Sequence, residues 1–341
     1  MYLNESKINS LFFYWIFASL VLVFLIIIVG GLTRLTNSGL SIIEWELFKG
    51  ILPPLTDVAW EQYFEKYKTI PQFKLINFDM VIEEFKVIFY WEYFHRILAR
   101  FIGLFFLIPL IFFFFTKKIK KKHINTCFLI LLLIFFQGII GWYMVKSGLV
   151  NDITVSHYRL SLHLTTALII ISALFWLLIN LHYNKNIYFF KFSKVYLPYQ
   201  FLLIIIFIQI ILGAFVSGLD AGKIYQTWPL MGSSFFPDDL TIDNIDIFFD
   251  FNNRSLLQFY HRNIAYVIIL YVIILSTYIY LKKKLHLYKP LKILIAVLFS
   301  QVILGILTLV SGLHIYLASA HQILGVLLVL SAINLYYLNA K

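Results

Sequence analysis

Residues 11–32, LFFYWIFASLVLVFLIIIVGGL, form an apolar run that contains no charged side chain. A helix of about 20 such residues is long enough to cross the hydrocarbon core of a bilayer. The whole chain has the same character: 61% of its 341 residues are hydrophobic, 13% are charged, and the mean hydropathy is +0.85. So few charges cannot cover so much apolar surface in water, which excludes a water-soluble globular protein.

Further apolar runs of this length follow along the chain, and the second is interrupted by Glu92, His95, Arg96 and Arg100. Backbone groups in lipid must satisfy their hydrogen bonds within the segment, so we interpret every run as an α-helix. The sequence therefore predicts an all-α integral membrane protein. Its eight transmembrane helices are expected at 11–32, 86–115, 124–145, 157–181, 196–216, 256–281, 293–313 and 317–338.

Every second loop is basic, which accounts for much of the net charge of +11. The basic positions are 117–122 after span two, Lys185, Lys191 and Lys194 after span four, and 282–292 after span six. By the positive-inside rule both termini lie in the cytoplasm, and the long loops 33–85 and 217–255 face the opposite side, which for a bacterial cell inner membrane is the periplasm. We interpret the lysines as topology signals that contact anionic membrane lipids, and expect no nucleic acid partner.

The features of the first four spans recur in the last four. QGIIGWYMVKSGL (137–149) aligns without a gap with QVILGILTLVSGL (301–313), and EYFHR (92–96) corresponds to QFYHR (258–262). An even number of spans restores orientation, so this is a parallel repeat. We predict two pseudo-symmetric four-helix bundles, residues 1–181 and residues 182–341.

Four histidines fall inside spans at matching places: His95 and His163 in the first half, His261 and His321 in the second. Ionisable groups in a bilayer are costly, so a duplicated arrangement indicates a function. Imidazole is an axial ligand of haem iron, and helix bundles place such ligands on facing helices. Each pair is therefore a candidate metal-binding pair for one haem; zinc is disfavoured because no third ligand accompanies either pair. For any one histidine alone, a packed and hydrogen-bonded side chain is the simpler interpretation.

His157 and His314 precede His163 and His321 by six and seven residues. The sequence leaves their roles open, since both are also compatible with positions at the rim of the membrane.

Charged residues flank the first histidine of each half. Arg96 and Arg262 follow it directly, and Arg100 lies one turn after Arg96, so these guanidinium groups are candidates for binding haem propionates. Snorkelling to the membrane surface or ion pairing is the alternative for them. Glu92 stands one turn before His95, where the second half has Gln258. This difference predicts acid/base or charge-stabilising chemistry in the first half, and electron transfer or structure in the second. An ion pair of the Glu92 carboxylate with a nearby arginine is the alternative.

The motifs resemble haem A synthase, in the branch shared by alphaproteobacteria and mitochondria, over nearly the whole chain. The resemblance rests on GGLTRLTNSGLSIIEW (30–45), FKVIFYWEYFHR (85–96), YRLSLHL (158–164), DAGKIYQTWPLMG (220–232), QFYHR (258–262) and AHQILG (320–325).

This resemblance implies a function in haem biosynthesis and cytochrome oxidase assembly. The C8 methyl group of haem O would be oxidised to the formyl group of haem A by two successive hydroxylations, with a bound haem b (iron) as cofactor. By motif, His261 and His321 would ligate haem b, while His95 and His163 would hold haem O as substrate or haem A as product. Glu92 matches the acidic residue implicated in catalysis. Haem O synthase, the protohaem farnesyltransferase, is the implied partner; the electron acceptor, the source of the inserted oxygen and the oligomeric state are not indicated.

The residues alone also fit a di-haem b-type membrane cytochrome that acts only in electron transfer. It would use the same four histidines and leave Glu92 without a role. A transporter is less well supported, because no matched pair of spans is broken at mid-membrane.

Overall fold

The structure is a computed structural model that describes residues 5–45, 49–149, 153–190, 193–240 and 245–341. Lys191 of the basic loop lies outside this described part. Eight of the described helices are long and apolar enough to cross a membrane. They coincide with the eight predicted spans, so the predicted all-α membrane class is confirmed. In chain order the helices are α1 (Glu5–Leu35), α2 (Asp57–Lys68), α3 (Pro71–Leu75), α4 (Ile82–Thr116), α5 (Lys121–Gly148), α6 (His157–His182), α7 (Leu197–Gly218), α8 (Arg254–Leu281), α9 (Tyr288–Val310) and α10 (Ile315–Ala340).

The chain divides into two compact units, an N-terminal unit that ends at Leu177 and a C-terminal unit that begins at Leu178. The spanning helices of the N-terminal unit are α1, α4, α5 and most of α6, and those of the C-terminal unit are α7 to α10. Which haem each unit binds stays a prediction at this point.

In the N-terminal unit, aromatic side chains join α1 to α4. The rings of Trp15 and Phe106 are 4.8 Å apart between centroids, and those of Phe12 and Phe113 are 5.1 Å apart. The indole of Trp15 also donates a hydrogen bond of 3.1 Å to the carbonyl of Phe105. Buried aromatic pairs of this kind combine a large apolar area with a preferred geometry, which fixes the two helices relative to each other.

The loop between α1 and α4, which we call the first outer loop after its predicted side of the membrane, packs through its described residues onto the N-terminal end of α4. Its helix α2 begins at the N-cap Thr56, and α3 begins with Pro71, a residue suited to the first helical turn. The buried hydroxyl of Tyr67 donates to Gln72 at 3.0 Å, and burial raises the pKa of Tyr67. The apolar cluster that attaches the loop to α4 consists of Leu40, Ile42, Trp60, Phe64, Tyr67, Ile70, Phe85 and Phe89.

In the C-terminal unit, α7 packs against α8 and α10, and α9 packs against α10. Two aspartates order the loop between α7 and α8, which we call the second outer loop after its predicted side of the membrane. Asp238 accepts a hydrogen bond of 2.6 Å from the backbone N–H of Ser233, and this bond holds the pKa of the Asp238 carboxyl below its usual value. Asp239 accepts a hydrogen bond of 2.6 Å from the hydroxyl of Tyr225.

Candidate functional site

The structure brings the four intramembrane histidines together as two pairs, one in each unit. His95 on α4 faces His163 on α6, with ring centroids 6.4 Å apart and an angle of 57° between the rings. His261 on α8 faces His321 on α10, with centroids 6.5 Å apart and an angle of 80°. The pairing predicted from the repeat is therefore the pairing that the fold produces.

Both separations fit one iron atom held between two imidazoles. With the metal about 2 Å from each ligating nitrogen, the two ring centres lie about 6.3 Å apart. In the described part of the chain, no cluster of three or more His, Cys, Asp or Glu side chains could hold a metal ion. Each pair would supply two imidazole ligands to the iron of one haem.

Each histidine ring lies against a glycine of a neighbouring helix. A Cβ atom added to Gly30, Gly213 or Gly305 would come within 2.9 Å of Cε1 of His95, His261 or His321, respectively. At Gly141 the corresponding distance to Cε1 of His163 is 3.1 Å. In all four cases Cε1 and Nδ1 lie closer than Nε2 to the position of the added Cβ, so each ring turns its Cε1–Nδ1 edge toward the glycine.

Sequence reasoning did not identify the contact of these four glycines with the histidines. A signal for it existed, because glutamine precedes glycine by four residues in QGIIG (137–141), QIILG (209–213) and QVILG (301–305). The corresponding stretch of α1, IIIVG (26–30), has isoleucine in place of glutamine.

Glu92 is buried, with a 3% exposed side chain, and both of its oxygens are engaged. Oε1 pairs with Nη2 of Arg96 at 2.5 Å, which is the ion pair that the sequence left as an alternative. Oε2 accepts hydrogen bonds from the hydroxyl of Ser41 at 2.7 Å and from the backbone N–H of Ile42 at 2.9 Å. The carboxylate therefore ties the first outer loop to α4, one turn before His95.

Arg96 strengthens the same attachment. It donates to the carbonyl of Ile42 at 2.8 Å and to that of Glu44 at 3.2 Å, and its guanidinium lies 5.0 Å from the ring centre of Trp45. Arg100 donates to the carbonyl of Gly50 at 3.1 Å. The two arginines line one cavity together with Ile42, Glu44, Gly50, Leu52, Tyr63, Phe89 and Tyr93. Glu92 and Glu44 offset part of the positive charge here, and the guanidinium groups are the donors that a carboxylate of a ligand would need.

Gln258 and Arg262 hold the second outer loop in the corresponding way. The amide of Gln258 and the guanidinium of Arg262 donate to the carbonyl of Tyr225, at 2.9 Å and 3.0 Å. Arg262 also donates to the carbonyl of Leu230 at 3.2 Å. The first loop offers N–H and O–H donors to Glu92, whereas the second offers a carbonyl to Gln258. This difference gives a structural reason for Glu in one half and Gln in the other.

His157 and His314 belong to neither pair. His157 is buried at the start of α6, with its ring centroid 4.0 Å from that of Tyr158. His314 is the residue before α10, and its ring centroid lies 5.4 Å from that of Tyr316.

Comparison with known proteins identifies relatives over almost the full length of the chain. The sequence profile of the cytochrome oxidase assembly protein family matches residues 13–333. The haem A synthase of Pelagibacter ubique is 48% identical, over 95% of this chain and 95% of the relative. The haem A synthase of Rickettsia canadensis is 41% identical over 92% of this chain and 93% of the relative, and that of Flavobacterium psychrophilum is 40% identical over 93% and 94%. The predicted resemblance is confirmed, and the chain belongs to the cytochrome oxidase assembly protein family, among the haem A synthases.

Proposed function

We propose that this chain oxidises the C8 methyl group of haem O to the formyl group of haem A by two successive hydroxylations. The observation that supports this most directly is a pair of facing histidines in each unit, at the separation that one haem requires. The buried carboxylate of Glu92 stands one turn before His95, whereas Gln258 stands at the equivalent place before His261. Two haem sites that differ in this way suit an enzyme with one haem as substrate and another as cofactor. The relatives named haem A synthase support the same proposal.

In this proposal His261 and His321 bind haem b, which supplies a one-electron redox centre when it is bound. His95 and His163 hold the iron of haem O and, after the reaction, of haem A. Arg100, with Arg96 beside it, places a propionate of the substrate in the cavity that both arginines line.

Glu92 is the proposed catalytic group of the first site. It lies one helical turn before His95, so its carboxylate is on the side of α4 that carries the ligand. There it accepts the proton released when the methyl group is oxidised, or stabilises positive charge on the substrate. The hydrogen bonds from Ser41 and Ile42 keep the carboxylate in place while it does so.

We propose a cell inner membrane location, with both termini in the cytoplasm and the loops 33–85 and 217–255 in the periplasm. The basic loops support this orientation. The proposed partner is haem O synthase, because its farnesylated product is apolar enough to pass between two proteins within the membrane.

The test is conversion of haem O in cells that also contain haem O synthase, followed by extraction and chromatography of the haems. The wild-type chain should give haem A, and Glu92→Gln should give none while the purified variant still binds haem in both pairs. Glu83→Gln is the matched control, since Glu83 is an exposed carboxylate in the first turn of the same helix, and it should behave as wild type. Failure of the wild-type chain to form haem A would overturn the proposal.

The two similar histidine pairs also fit a di-haem b-type cytochrome that only transfers electrons. In that case Glu92→Gln would keep full electron-transfer activity, and no haem O or haem A would be found on the protein.

A further inference from the structure

The two histidines of the C-terminal unit donate hydrogen bonds to backbone carbonyls of neighbouring helices. Nδ1 of His261 lies 3.2 Å from the carbonyl oxygen of Gln209, and Nδ1 of His321 lies 3.1 Å from that of Gln301. A carbonyl oxygen only accepts, so the ring proton is on Nδ1, and Nε2 keeps the lone pair that binds a metal. Both ligands are thus held in the tautomer that an iron atom needs.

Gly213 and Gly305 make these carbonyls reachable. In an α-helix the carbonyl of residue i points toward the N–H of residue i+4, and the side chain at i+4 normally lies beside it. A Cβ atom at either glycine would stand 2.9 Å from Cε1 of the facing histidine, closer than a carbon contact allows. The glycine four residues after each glutamine is therefore what lets the ring approach the carbonyl.

The N-terminal pair has the same glycines but lacks these bonds. Nδ1 of His95 and Nδ1 of His163 are buried nitrogens without a hydrogen-bond partner. Gln137 does contact His163, but through its side chain, which donates to the backbone carbonyl of His163 at 3.0 Å. A buried imidazole N–H without an acceptor is unfavourable, and among the described residues no hydrogen bond at Nδ1 fixes the tautomer of these two rings.

The side chains of the C-terminal glutamines contact the same histidines. Nε2 of Gln209 donates to the backbone carbonyl of His261 at 2.9 Å, so these two residues exchange two hydrogen bonds. Nε2 of Gln301 lies 3.4 Å from Nε2 of His321, at the long limit for a hydrogen bond. This weak contact is the one that a metal on Nε2 would replace, whereas the bond at Nδ1 would remain.

We propose that hydrogen bonds to the backbone carbonyls of Gln209 and Gln301, which the absence of a side chain at Gly213 and Gly305 leaves accessible, hold the C-terminal histidines in the orientation that binds a haem permanently. The N-terminal histidines lack such bonds, and this makes the haem of the N-terminal pair exchangeable. Which haem occupies which pair rests on the proposed function. A ligand imidazole that donates from Nδ1 is a stronger base and is held in one orientation, so it binds iron more tightly and favours the ferric state. A substrate site has the opposite requirement, because haem O must enter and haem A must leave. Gly213 and Gly305 are in this account positioning residues that act through the ligands.

The experiment compares Gly→Ala substitutions at the two pairs in the full-length, haem-loaded protein. In a helix, alanine is intrinsically more favourable than glycine, so the substitution acts mainly by pushing the histidine ring away. Gly213→Ala and Gly305→Ala remove an Nδ1 bond, whereas Gly30→Ala moves a ring that has no such bond. Gly138→Ala is the control, because an added Cβ meets nothing within 4 Å.

Two quantities are measured: the rate at which each haem transfers to excess apomyoglobin, and the midpoint potential of the haem in the C-terminal unit. Double variants His95→Ala/His163→Ala and His261→Ala/His321→Ala, each with one pair left, assign the rates to the sites. We expect the wild-type N-terminal haem to transfer faster than the C-terminal haem. Gly213→Ala and Gly305→Ala should each speed loss of the C-terminal haem by about 10- to 100-fold and raise its potential. Gly30→Ala and Gly138→Ala should leave that potential unchanged.

Equal transfer rates from the two pairs in the wild-type protein would overturn the inference. So would an unchanged potential in Gly213→Ala or Gly305→Ala with haem still bound. If neither alanine variant folds, the two transfer rates of the wild-type protein decide the matter, since they need no substitution at either glycine: the C-terminal haem must transfer more slowly, and equal rates would refute the inference. The proposed function fails separately, if haem b alone is found in both pairs, and the ratio of the two transfer rates still tests the present inference in that case.

Discussion

Replacing Glu92 by glutamine should loosen the first outer loop as well as stop the reaction. The Glu92 and Arg96 side chains are 3% and 10% exposed, so the substitution leaves an arginine charge buried without its partner. Removing one member of a buried ion pair costs about 3–5 kcal/mol. The substitution should also destabilise the attachment of the loop to α4, because the same carboxylate accepts hydrogen bonds from the Ser41 hydroxyl and the Ile42 amide.

The size of the effect follows from the lower end of that range. Every 1.4 kcal/mol or so changes an equilibrium constant tenfold, so a loss of about 3 kcal/mol raises the population of the opened loop about 100-fold. Hydrogen exchange followed by mass spectrometry on a peptide that covers residues 36–45 reports this opening, since it contains the Ile42 amide. The exposed Glu83→Gln variant should show no change in this peptide.

An exchange rate that stays at the wild-type value in Glu92→Gln would refute the structural role of the carboxylate. A double-mutant cycle with Arg96→Gln gives a second criterion. The two substitutions remove one interaction, so their combined effect on exchange should be smaller than the sum of the single effects. Additive effects would mean that the two side chains are not coupled.

Three further outcomes are expected from other parts of the chain. Gln258→Leu removes one donor to the second outer loop, at a cost of about 1 kcal/mol, and should raise hydrogen exchange in residues 224–230 about fivefold; an unchanged rate would contradict this. Because the pKa of Asp238 is lowered by its bond from Ser233, the stabilisation is present above the unfolded pKa and is lost as the pH falls through the folded value. The fluorescence of Trp228 should therefore change on acidification below about pH 4, and a change of the same size in Asp238→Asn would contradict that cause. Cys127 is 0% exposed and should resist maleimide reagents until the protein unfolds, so rapid labelling of the native protein would argue against the packing of α5.

The spans could be predicted because each one is a continuous apolar segment, which can be recognised without knowing which other segments it contacts. The helix that carries His95 begins at Ile82, four residues before the predicted boundary at 86. Glu83 and Glu84 lower the hydropathy at this end of the helix, so the apolar pattern did not reveal where the helix begins. Acidic residues are nevertheless favourable in a first helical turn, and the Glu84 carboxylate accepts a hydrogen bond of 3.2 Å from the backbone N–H of Val81.

The histidine pairs could be predicted because the repeat places equivalent residues in both halves. The surroundings of Glu92 could not, since its contact with Ile42 joins residues 50 positions apart, across a loop without periodicity. The sequence offered ion pairing and propionate binding as roles for Arg96, and the structure adds a third, the attachment of loop carbonyls. The hydrogen bonds of His261 and His321 to backbone carbonyls could not be predicted either, because every residue type has the same backbone carbonyl.

The central claim is that one histidine pair holds a substrate haem and the other a resident haem b. The most direct measurement is the haem composition of the protein purified from cells that also make haem O, determined by acid extraction and chromatography. We predict haem b together with haem O, haem A or the hydroxylated intermediate between them. Haem b alone, at about two per chain, would contradict the account and would identify a di-haem cytochrome.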